Sequence, residues 1–94
     1  MTFKPEALQD ILDAAQWYEA QRVGLGKKFE ASLDRVLEQI EVMPELHRVI
    51  YRSVRRALTP GFPFGVYYRV DGDEVVVLAV IHSSRDLERW KSRL

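Results

Sequence analysis

The residues best suited to chemistry are cationic, and they crowd into the second half of the chain. Arg48, Arg52, Arg55, Arg56, Arg69, Arg85, Arg89, Lys91 and Arg93 all follow residue 46, where only five acids accompany them. Residues 1–46 carry five basic and nine acidic side chains, so a formal charge of zero over 94 residues divides into −4 and +4. A basic half of this kind can meet phosphates or an acidic protein segment; its simplest alternative is a solubilising surface. His82 closes an apolar run and adds an imidazole, a candidate acid or base. A histidine in that place more often caps or hydrogen-bonds than catalyses, and His82-x-x-Arg85-Asp86 reads as a clamp for the C-terminal segment. There is no cysteine, which excludes disulfides and thiolate metal sites. Asp71 and Asp73 flank a glycine as turn formers, and neither a metal nor another cofactor is expected.

These side chains need elements to carry them. Leu8, Ile11, Leu12, Ala15 and Tyr18 recur at helical spacing, with Pro5 in the first turn and Glu6, Asp10 and Asp13 where the helix dipole favours acids. Gly24-Leu25-Gly26 breaks the pattern. Phe29, Leu33, Val36, Leu37, Ile40 and Met43 form a second stripe that ends at Pro44. The short connection predicts an antiparallel helical hairpin. After it the period changes. Arg48–Tyr51, Val54–Leu58, Phe64–Val70 and Glu74–His82 are strand candidates, the last two joined through Asp71-Gly72-Asp73. The run Val75–Ile81 does not alternate, so it should be covered on both faces and lie centrally in the sheet. Leu87–Leu94 suits a short C-terminal helix carrying Trp90. The fold class expected is therefore α+β, a helical hairpin packed on a three- to four-stranded antiparallel sheet with a short C-terminal helix, one domain over residues 1–94. Nothing resembles a secretory leader or a membrane span, which predicts a cytoplasmic protein.

Within this frame, three stretches look familiar. They are Trp17-Tyr18-Glu19-Ala20-Gln21-Arg22-Val23-Gly24-Leu25-Gly26-Lys27-Lys28-Phe29, then Val54–Leu58 with Phe62-Pro63-Phe64-Gly65-Val66-Tyr67-Tyr68-Arg69-Val70, then Val77–Asp86. In this order and spacing they resemble the RelE/ParE family of toxins from type II toxin–antitoxin systems, from about Pro5 to Trp90. The family opens with a strand of several residues before the Pro5-Glu6-Ala7 stretch. Here the strand is expected from Met1–Lys4 alone, or the start codon was assigned late; a missing strand would leave a sheet edge open to another chain.

The resemblance implies a cognate antitoxin that holds the toxin in a hetero-oligomer, adding a strand at a sheet edge or a helix along the helical pair. Operator DNA would be reached only through that antitoxin. For the target it implies either a ribosome-dependent mRNA endonuclease or a ParE-like growth inhibitor of DNA gyrase that is not an enzyme; a non-toxic, antitoxin-binding remnant is a third alternative. Metal-free RNA cleavage needs a base for the 2′-hydroxyl, an acid for the leaving oxygen and cations for the phosphorane. The endonuclease residues would be Arg56, His82 and Arg85. Where those enzymes place a phosphate-gripping arginine before the Val-Tyr pair, this chain has Gly65, and it ends without their C-terminal histidine or tyrosine. Both departures favour the ParE side, with no catalytic residues expected. Trp17, Tyr18, Arg52, Arg55, Arg56, Arg69, Arg85, Arg89 and Trp90 are then the candidates for contact with target or antitoxin. Because Arg55 and Arg56 are adjacent on a strand, only one of them can join a given site.

Overall fold

A computed structural model describes residues 1–84 and 89–94. The chain runs β1 (Thr2–Phe3), α1 (Pro5–Gln21), α2 (Leu25–Val42), β2 (Val49–Tyr51), β3 (Val54–Leu58), β4 (Phe64–Asp71), β5 (Glu74–His82) and a 3₁₀ turn (Arg89–Arg93). Pro5 sits at the start of α1, where its missing N–H costs nothing. Gly24 precedes α2 in the left-handed region, at φ 90°, which glycine adopts freely. Both oxygens of Glu19 then accept from the Gly24 amide, and one also accepts from Gly26, so orphan donors at the start of α2 are satisfied. Gly26 lets the helices close up: a Cβ there would stand 2.7 Å from the Ala15 carbonyl oxygen.

The sheet has five strands in the order β1-β5-β4-β3-β2. It is mixed: β1 pairs with β5 in parallel, and every other pair is antiparallel. This corrects the expected three to four antiparallel strands, because Met1–Lys4 does supply the first strand; Thr2 pairs with Val76, Phe3 with Val77, and the Lys4 amide donates to the Val77 carbonyl. β5 is flanked by β1 and β4 and buried from Val75 to Ile81, while the central place belongs to β4. The expected short C-terminal helix is present; its described part is a 3₁₀ turn of five residues.

Helices cover one face of the sheet. Phe29, Leu33, Val36 and Ile40 of α2 and Ala7, Ala14 and Tyr18 of α1 pack against Ala57, Val66, Tyr68, Val77 and Val80. The other face carries a second cluster, Val54, Tyr67, Val76, Leu78, Ala79, Ile81 and Trp90. The adjacent Tyr67 and Tyr68 are both buried, one in each cluster. A bulge makes the clusters fit: pairing jumps from Tyr67–Ala79 to Tyr68–Val77, so Leu78 is an extra residue on β5, and Leu78 and Ala79 both reach the second cluster.

Candidate functional site

The predicted site residues divide between the faces of the sheet. On β3, Ala57 points to the helices, so Arg56 and Leu58 point away from them. A Cβ on Gly65 would lie 3.1 Å from both Arg56 Cγ and Tyr67 Cε1. A side chain at position 65 would crowd the Arg56 stem and the Tyr67 ring, which would have to give way slightly. His82 lies on the helix side. Its ring stands 5.8 Å from that of Phe64, which in turn packs edge-on against Tyr18 and Phe29. Its Nδ1 accepts from the Ser84 amide at 3.2 Å and lies 3.1 Å from the Ser84 hydroxyl. Arg56 and His82 are consequently separated by the sheet. Arg85 falls outside the described residues, as does the Asp86 of the supposed clamp.

His82 instead helps line a cleft of about 510 Å³ between α1 and the end of β5, with Asp10, Asp13, Trp17, Tyr18, Phe64 and Arg89. Trp17 is 54% exposed and stands edge-on to Tyr18 at 5.1 Å. Tyr18 belongs to the core, stacked on Phe29 at 5.4 Å and edge-on to Phe62 at 4.9 Å.

Several arginines are already engaged. Arg55 donates to the carbonyls of Glu45 and His47 at 3.0 and 2.7 Å. It fastens the loop after α2 through backbone oxygens. The same guanidinium adds to burial in holding His47 below its ordinary pKa, and Tyr68, whose hydroxyl donates to the Pro44 carbonyl at 2.6 Å, is pushed up by burial. Arg69 pairs with Asp71 at 3.0 Å. Arg52 occupies the left-handed region at φ 51° in the turn between β2 and β3, its guanidinium carbon 5.0 Å from the centre of the Tyr51 ring. Trp90 is 3% exposed, stacked on Tyr67 at 5.6 Å and edge-on to Tyr51 at 5.4 Å.

Sequence reasoning missed the pair that seats Trp90. Asp10 is buried, and its Oδ2 accepts from the Val80 amide at 3.1 Å and from Arg93 Nη1 at 2.5 Å. Its Oδ1 accepts from Arg93 Nη2 at 3.2 Å and lies 3.5 Å from Arg89. Arg93 also donates to the Leu78 carbonyl, at the bulge. The two side chains take backbone partners along β5 just past the point where β1 stops. The signal was present: Asp10 lies on the stripe Ala7, Asp10, Ala14, Tyr18, where a carboxylate needs a partner. Among the described residues, no group of three His, Cys, Asp or Glu side chains could hold a metal, and no helix is long and apolar enough to cross a membrane.

A helical hairpin on one face of a mixed five-stranded sheet is the α+β fold that the resemblance implied. The family model described as the ParE toxin of the type II toxin–antitoxin system parDE matches residues 1–87, and the chain belongs to that family. In fold it is similar to a solved chain of the chromosomal ParDE TA system from P. aeruginosa, with a TM-score of 0.65 and 17% identity over 86% of this chain and 91% of that one. A comparison with curated proteins gives no match.

Proposed function

We propose that this ParE-family toxin arrests growth by inhibiting DNA gyrase in the cytoplasm, without catalysis, and that a cognate antitoxin neutralises it. The observation that carries the non-catalytic part is the separation of Arg56 from His82 by the sheet, together with the packed space at Gly65. A phosphorane needs its cation, acid and base around one scissile group. Two of the three endonuclease candidates here address opposite faces.

The antitoxin has a ready seat. Leu8 and Leu12, one helical turn apart on α1, are 55% and 51% exposed. Leu12 borders a shallow groove between α1 and α2 whose rim carries Glu19, Lys27 and Glu30. An amphipathic helix of the antitoxin fits this groove by its apolar face, and such segments commonly order on binding. In the hetero-oligomer, operator DNA is contacted through the antitoxin.

The test is made in cells. On induction without antitoxin, a reporter plasmid should lose negative supercoils while transcripts stay uncut. Cuts in the A-site codon with normal supercoiling would replace the gyrase reading by the endonuclease one, and undisturbed growth would reduce the chain to an antitoxin-binding module.

A further inference from the structure

Cations collect around the Tyr51 ring. Arg52 and Lys91 both sit on that ring, at 5.0 and 4.6 Å from its centre, and Lys91 lies 5.7 Å from the Trp90 ring as well. Tyr51 pairs with Val54, and Arg56 is the next residue along β3 to point to the same face. Among the described residues, no carboxylate lies within ion-pair distance of Arg52 or Arg56, in contrast to Arg69, which has Asp71. Arg52 also holds a left-handed backbone that a glycine or asparagine would take at less cost. An arginine kept there at a cost in stability points to a use for its side chain.

We propose that this helix-free face is a docking surface for an acidic protein segment, gripped by Arg52 and Arg56. Guanidinium groups bind carboxylates in a two-pronged geometry, and exposed Leu58, two residues beyond Arg56, offers an apolar contact beside them. A nucleic-acid strand fits less well. Trp90 and Tyr67 are buried and the Tyr51 ring already carries two cations, so no open ring is left for a base to stack on. A chain of zero net charge also lacks the long-range pull of nucleic-acid-binding domains. This surface is distinct from the groove along α1 and α2, and the inference does not depend on gyrase being the target.

The experiment follows the arginine Nε–Hε resonances of the ¹⁵N-labelled protein during titration with hexaglutamate and, separately, with a thymidine hexanucleotide. Hexaglutamate should move the Arg52 and Arg56 signals saturably, and the Arg52→Glu/Arg56→Glu variant should bind at least about tenfold more weakly. Arg52→Gly keeps the backbone requirement satisfied, so it should melt at the same or a higher temperature and still lose affinity. No saturable shift, or tighter binding of the oligonucleotide, would overturn the proposal. A positive titration beside unaffected gyrase would retain this surface and remove only the target proposed above.

Discussion

Phe29 and Trp90 are both buried aromatic residues, yet they close opposite faces of the same sheet by different means. Phe29 sits in a ring of neighbours, Tyr18, Phe62 and Phe64, all within 5.4 Å between centres. It is delivered by a helix of 18 residues whose whole apolar stripe faces the sheet. Trp90 is delivered by a five-residue turn with no stripe of its own, and what holds that turn down is ionic, Arg93 on Asp10. The first face is closed by many small apolar contacts, which add up in proportion to area. The second depends on a buried ion pair, whose removal by halves is costly because a charge is left behind.

The comparison can be broken by mutation. Phe29→Ala should remove about 3–5 kcal/mol of global stability, as large-to-small changes in a packed core do, and thermal denaturation should show one earlier, cooperative transition. Arg93→Ala should act next most strongly, at up to about 3 kcal/mol, since the Asp10 carboxylate loses its main counter-ion. Its effect should be local: hydrogen exchange at the Val80 amide, which donates to Asp10, should quicken far more than exchange in α2. Equal loss of protection in both places would mean that the two faces unfold together and that the distinction drawn here is wrong.

Tyr67→Phe sharpens the same contrast. The Tyr67 hydroxyl is buried on the second face with no hydrogen-bond partner among the described residues, so deleting it should leave the melting temperature unchanged or slightly raised. A clear loss would show that the hydroxyl is satisfied. The smallest effect concerns pH. Burial, and then Arg55, lower the His47 pKa from 6.5, so the unfolded chain binds more protons there than the folded one. Stability is then full above the unfolded value and falls as pH drops below it. Urea midpoints should rise gently between about pH 5 and 7, and His47→Gln should flatten the slope.

Periodicity made the helical hairpin, the boundaries of β3 and β5 and the turn at Gly72 legible, because each rests on neighbours close in sequence. On α1 it places the stripe only in part: Ala15 and Tyr18 are buried and Ile11 packs on the core, but Leu8 and Leu12 are exposed, and Ala7, Asp10 and Ala14 complete the buried face. Two overlapping stripes fit a helix of this composition, and alanine, small enough to suit the close approach to β5, carries little signal. Spacing marks Asp10 only as an acid favoured by the helix dipole, because its partner, Arg93, lies 83 residues away. β1 was hard to see because two residues cannot display alternation. At the candidate site the residue types were legible and their faces were not. Strand parity separates Arg55 from Arg56, but only the assembled sheet puts His82 on the helix side.

Titrating the purified protein into a gyrase supercoiling reaction beside its His82→Ala variant tests non-catalytic gyrase inhibition most directly. A toxin that acts by contact rather than cleavage should inhibit in the micromolar range in both forms, with equal potency. Unimpaired supercoiling with both proteins would contradict it.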